Sequence, residues 1–74
     1  MFGIGVKFYN KNTKEWSKSY TYLYDKPLMT DTKVIVEVDD WYSIGKVTGF
    51  KSDFKPLPGI NYKEIKGVAN ELFV

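Results

Sequence analysis

The stretch Lys33–Phe50, KVIVEVDDWYSIGKVTGF, constrains the fold more than any other part of the chain. Val34, Val36 and Val38 alternate with Lys33, Ile35, Glu37 and Asp39. A period of two puts the three valines on one face of a pleated strand, a half-buried surface that suits β-branched side chains. Asp39 and Asp40 then interrupt the run with residues that form turns by bonding to their own backbone. An apolar pattern restarts at Trp41-Tyr42 and continues through Ile44, Val47 and Phe50. Ile44 and Val47 have opposite parity, so a regular strand points one of them outward. A bulge at Gly45 is expected to bring both to the core side and bend the strand. This hairpin is expected to form the middle of a small barrel.

The chain has 74 residues, enough for one small domain spanning 1–74. A domain of this size hides only about 60% of its unfolded surface, so its core must be efficient. Cysteine and histidine are both absent. That removes disulfides, thiolate metal sites, the usual general base and the commonest zinc ligand. The expectation is a protein that is not an enzyme and has no cofactor. Eleven cations, all lysine, stand against nine acids, for a net charge of +2. Without arginine there is no bidentate fork for phosphate or guanine, so any phosphate contact would be a lysine point charge. No apolar run approaches the length of a membrane span, and the start at Met1 lacks the apolar core of a signal peptide. These features set the expectation of a complete natural chain in the cytoplasm with no membrane partner.

Four more segments complete the reading. Phe2, Ile4, Val6 and Phe8 share one parity, with Gly3 and Gly5 on the other face, where a second backbone can approach. A polar turn at Asn10–Lys14 leads to a second, antiparallel strand over Trp16–Tyr24, in which Trp16, Tyr20, Tyr22 and Tyr24 share parity. Lys51–Gly59, with two prolines, reads as the longest surface loop. The tail from Asn61 has two readings. Ile65, Val68, Ala69 and Leu72 fit a helix, whereas Tyr62–Ala69 as a fifth strand would close the barrel against the first. The strand is favoured, because four strands alone leave two bare edges, and a short helical turn is expected near Asn70–Phe73. The expected fold is all-β: a partly open, five-stranded antiparallel barrel of SH3-like type. An OB-type barrel and a sheet covered by a helix are the alternatives.

The order Phe8, Tyr20-Thr21-Tyr22-Leu23, Asp31, Val34–Val38, Ile44-Gly45-Lys46-Val47 and Lys63-Glu64-Ile65 resembles small phage and prophage proteins. More remotely it is similar to the N-terminal DNA-binding barrel of the replication-restart primosomal helicases. That barrel also runs from an aromatic strand through a valine-rich strand to an I-G-x-V strand. The resemblance implies a phage-encoded β-barrel, with single-stranded nucleic acid or a replication complex as its partner. The helicase barrel grips the 3′ end of a DNA strand; the resemblance covers its strand pattern and carries none of its end-binding residues across.

Four residue sets are candidates for function. Trp16, Tyr20, Tyr22 and Tyr24 form either a stacking platform or one wall of the core, and the wall is the stronger reading. Trp41 and Tyr42 are neighbours in a strand, so at least one is expected at the surface. With Lys46, Lys51, Phe54 and Lys55 they make an aromatic–cation set suited to nucleic acid or to a protein partner. On the nucleic-acid reading the three lysines take phosphates and Trp41 or Tyr42 stacks on bases. Asp39, Asp40 and Glu37 read as a solvated turn rather than as a catalytic or cation site. Leu72-Phe73-Val74, with an exposed edge strand, makes a homodimer a candidate assembly. The alternative to nucleic acid is a host or phage protein partner, bound by a modulator or assembly module.

Overall fold

The alternation becomes pairing in the computed structural model of the chain, which describes residues 1–69. Seven strands form: β1 Phe2–Lys7, β2 Tyr9–Asn10, β3 Glu15–Trp16, β4 Tyr20–Tyr24, β5 Lys33–Val38, β6 Trp41–Lys51 and β7 Gly67–Val68. Five make one antiparallel sheet in the order β4-β1-β6-β5-β7, and β2 and β3 make a separate two-stranded sheet. The all-β, five-stranded antiparallel expectation therefore holds.

The β5–β6 hairpin forms as its sequence dictates. Val38 pairs with Trp41, and the two residues between them, Asp39 and Asp40, have φ of 46° and 66°. Positive φ at both central positions is the type I′ geometry, whose twist matches that of paired strands. Aspartate tolerates this region because its short carboxylate bonds locally. The turn accounts for both acids without any further role.

The valines and their partners make the core. Ile4, Val6, Val34, Val36 and Val47 have no exposed surface, and Ile65 is also buried. Phe2, Phe8, Tyr22, Tyr24, Leu28 and Val38 pack around them, half-buried. Val38 is therefore at the rim of the core, where the hairpin extends beyond it. Burying a Val or Ile side chain contributes roughly 1.5–3 kcal/mol, a large fraction of a small domain's net stability.

Three sequence expectations are corrected. Gly45 hosts no bulge: it pairs with Val34, and Ile44 turns outward opposite Ile35. Gly45 is needed because Val6 and Phe8 occupy the space that its side chain would take. A Cβ there would lie 2.4 Å from Val6 Cγ1 and 2.9 Å from Phe8 Cε1. The irregularity sits three residues later. Val47 pairs with Val6 and Gly49 with Gly5, which leaves Thr48 as the extra residue. The expected strand Trp16–Tyr24 is broken in two, because Ser17 leaves the ladder to bind Phe8. Its amide donates to the Phe8 carbonyl at 2.8 Å, and its Oγ accepts from the Phe8 amide at 3.0 Å. The fifth strand does not close against β1, both of whose edges are taken by β4 and β6.

Instead, the segment 63–68 touches both ends of the sheet. The Leu23 amide of β4 donates to Lys63 O, and the Ile65 amide donates back to Leu23 O, both at 2.9 Å. One residue on, the Lys66 amide donates to Ile35 O of β5 at 2.8 Å, and β7 pairs with β5. Ile65 is buried between these two attachments and plugs the gap. The ladder itself stays open, since β4 and β7 do not pair as strands. The helical reading of the tail fails at Gly67–Val68, which is extended; Leu72 and the expected turn near Asn70–Phe73 lie outside the described residues. No helix among the described residues is long and apolar enough to cross a membrane.

Two outcomes test this packing. Gly45→Ala forces a methyl against buried Val6, and overpacking of this kind is expected to cost about 1–3 kcal/mol, read as a lowered urea midpoint. An unchanged midpoint would show that β1 and β6 are not seated this closely. The second concerns Tyr22, whose phenol is held above the ordinary tyrosine pKa, first by desolvation and then by neighbouring Tyr20. Because the folded value is raised, its contribution is complete below the unfolded value of about 10 and is lost as pH climbs through the folded one. Urea midpoints measured between about pH 8 and pH 11 should therefore fall less steeply for Tyr22→Phe than for the parent chain.

Candidate binding face

Residues opposed across antiparallel strands share a face, so the buried valines decide what lies outside. With Val34 and Val36 inward, Lys33, Ile35 and Glu37 point out, opposite Lys46, Ile44 and Tyr42. On β1, Ile4 and Val6 are inward, which turns Gly3, Gly5 and Lys7 out. Lys7 pairs with Lys46, and Lys46 pairs with Lys33. Three lysines thus stand in line across β1, β6 and β5, with strands roughly 4.8 Å apart. Like charges directly opposed in this way destabilise a sheet.

The short β2–β3 hairpin brings an indole onto this row. Its turn is set by Asn10, whose Oδ1 accepts from the amides of Asn12 at 2.9 Å and Thr13 at 3.3 Å. The Ser17–Phe8 bonds then tie the returning strand to the end of β1. Trp16 consequently lies with its ring centroid 4.7 Å from Lys7 Nζ and 5.1 Å from Lys46 Nζ. Tyr9 meets Trp16 edge-on at 5.2 Å. Ammonium groups over an indole face gain roughly 0.5–1 kcal/mol at exposed sites, which offsets part of the lysine repulsion. Tyr9, Trp16 and Ile44 are all exposed, and together with Lys11, Lys33 and Lys46 they line one recess. Among the described residues no acid lines it. Glu15, which precedes Trp16, lines the neighbouring hollow with Asn10 and Thr13.

The six residues singled out from the sequence are not brought together. Trp41 and Tyr42 are both at the surface, 78% and 68% exposed at the hairpin tip. Lys46 joins the lysine row. Lys51 pairs with Gly3 at the other end of β6, five residues and about 17 Å from Lys46. Phe54 folds back over Gly3, where its ring carbons fill the space of a missing side chain, and meets Tyr62 edge-on at 5.1 Å. Lys55 is exposed in the loop that follows. Between Lys51 and the lysine row, the Ser19 and Thr48 hydroxyls share a hydrogen bond of 2.8 Å over Gly5.

The aromatic set from the second strand also divides. Tyr22 and Tyr24 pack on the core, as a wall would, whereas Tyr20 and Trp16 are exposed. Glu37 makes an ion pair with Lys66 at 3.8 Å. No group of three potential ligands among the described residues is placed to hold a metal ion. Sequence reasoning missed Lys7, Tyr9, Lys33 and Ile44 as surface partners. One signal was available: a two-residue turn at Asp39-Asp40 sets Lys33 opposite Lys46 by counting alone. Comparison with known proteins finds no matching family model, no matching curated protein and no matching solved structure.

The lysine row has a measurable signature. Added salt should screen it and raise the melting temperature of the parent chain. Lys46→Gln removes the middle charge, and with it both repulsive pairs, so the rise should shrink by an amount equivalent to a few tenths of a kcal/mol per pair. Equal salt responses in the two proteins would show that the lysines do not interact.

Proposed function

We propose that this chain is a non-enzymatic binding module that holds single-stranded nucleic acid on the outer face of β1, β6 and β5. The observation that carries this reading is the line Lys7, Lys46 and Lys33 with Trp16 seated on two of its ammonium groups. The directly opposed Lys7 and Lys46 repel, a polyanion relieves that repulsion, and an exposed aromatic beside them offers a stacking surface. A single strand fits better than a duplex, because only unpaired bases expose their faces for stacking. The absence of arginine removes the bidentate guanine contact on which sequence reading in a duplex relies. Binding is therefore weak and tolerant of sequence, as in a component of a phage replication complex.

A second reading has its own support. Trp41 and Tyr42 stand exposed at the hairpin tip, three and two pairs beyond the Ile35–Ile44 pair, and both residue types are enriched at protein hot spots. On that reading the tip docks into a protein partner and the lysine row only keeps the chain soluble.

Titration of a fluorescent oligonucleotide at two salt concentrations separates them. For three lysine–phosphate contacts the logarithm of the affinity should fall with the logarithm of salt with a slope of about −2. Absence of binding at tens of micromolar protein in low salt removes the nucleic-acid reading. A stoichiometric protein captured from host extract, and retained after nuclease treatment, would instead favour the tip.

A further inference from the structure

From the corner where Lys7 and Lys46 meet Trp16, the outer face of β6 leads two ways, and a polyanion gains from one of them. Towards the hairpin tip the outward pairs are Ile44 with Ile35 and Tyr42 with Glu37. Glu37 is matched by Lys66 at 3.8 Å, but Asp39 and Asp40 at the turn leave the tip negative. The other way is a groove of ≈ 410 Å³ across β4, β1 and β6, within the about 300–1,000 Å³ usual for ligand sites. Ser19 and Thr21 line it from the β4 side, Thr48 and Lys51 from β6, and Phe54 stands at its far end. Among the described residues no carboxylate borders this groove.

Its polar groups suit a sugar–phosphate backbone. The Ser19 and Thr48 hydroxyls share one hydrogen bond of 2.8 Å, which uses one of their two protons and leaves the other for an outside acceptor. Thr21 is exposed and adds a third hydroxyl. Lys51 is exposed too, and among the described residues it has no ion pair and no ring contact. Hydroxyl and ammonium donors of this kind bind phosphate and sugar oxygens and read no base. Resting on the nucleic-acid reading above, we infer that the strand runs along β6 and not across it: it leaves Trp16, follows the groove and brings a phosphate to Lys51. Lys46 and Lys51 are five residues and about 17 Å apart on one outer face, so only a strand of several nucleotides reaches both. Lys51 thereby joins the site, whereas Lys55 and the hairpin tip stay outside it.

The full chain is titrated with a fluorescent oligothymidylate of about eight nucleotides at several salt concentrations. Lys51→Gln should make the plot of log affinity against log salt shallower by about 0.7, the share of one phosphate contact on a single strand. Thr21→Glu puts an acid in the groove and should weaken binding about tenfold or more. Glu37→Gln removes an acid from the opposite route and should change the affinity by less than about twofold. Lys51→Gln alters only an exposed side chain, so it decides the matter even if Thr21→Glu unfolds. An unchanged slope in Lys51→Gln would overturn the path while leaving nucleic-acid binding intact. Tighter binding by Glu37→Gln would send the strand towards the tip and overturn it too, as would a folded Thr21→Glu that binds like the parent. If the parent chain binds nothing in low salt, the broader reading fails, and the path with it.

Discussion

Val6 has no exposed surface, and its Cγ1 lies where a side chain on Gly45 would have to be. Across the ladder it faces Val47, and on its other side it faces Tyr20. This seating of β1 on β6 fixes the register of the whole sheet, because a shift of one residue would carry Ile4 and Val6 into solvent. The same register brings Lys7 opposite Lys46. Since the hairpin turn has already set Lys46 opposite Lys33, the lysine row is a consequence of how the core packs. Thr48, left over where the ladder skips, resets the parity of β6, so that Lys46 and Lys51 lie on the same outer face despite an odd spacing.

The inside and the outside of this sheet follow opposite rules. The buried set is entirely aliphatic, and among the described residues no buried side-chain polar atom lacks a partner. The outer face breaks a local rule by opposing three like charges across adjacent strands. A fold whose other choices agree with one another concentrates such conflicts where function demands them. The cation–π contacts with Trp16 offset the repulsion without removing the charge. A cation–π contact keeps the charge of Lys7 and of Lys46 in place, as an ion pair with a neighbouring acid would not.

Much of the fold was legible in the residues themselves. Period-two valines and a two-aspartate turn specify the hairpin, since both are local signals. What failed was whatever depended on the partner strand. A glycine between two apolar residues reads equally as a bulge or as a place where a neighbour's side chain intrudes, and only Val6 decides between them. The bulge at Thr48 carries no signature of its own, because it exists only relative to Gly5 and Val6. Trp16 shares parity with Tyr20–Tyr24, yet Ser17 binds Phe8 and lifts it out of that strand. The grouping of the candidate residues depended on the partner strands as well. The aromatics were grouped by nearness in sequence, whereas Trp16 reaches Lys46 from thirty positions away.

The division of the aromatic residues follows from the size of the core. A sheet packed around seven buried aliphatic residues has little interior volume left, so its rings line the rim or lie outside. Phe2, Phe8, Tyr22 and Tyr24 take the rim. Phe54 caps Gly3 from the outer side, where a β1 side chain is missing. Tyr9, Trp16, Tyr20, Trp41, Tyr42 and Phe50 remain exposed, and it is a contiguous patch of such rings that points to a partner. Trp41 and Tyr42 sit at the tip beyond the last core residue, where nothing in the fold fixes their surroundings. Trp16 and Tyr9 are held by the Asn10 turn, by Ser17 and by each other, against charges whose positions the core dictates. A stacking surface of fixed orientation beside fixed charges loses little entropy on binding. That pre-organisation is the physical reason why the proposed binding function is assigned to the face beside Trp16 and not to the tip.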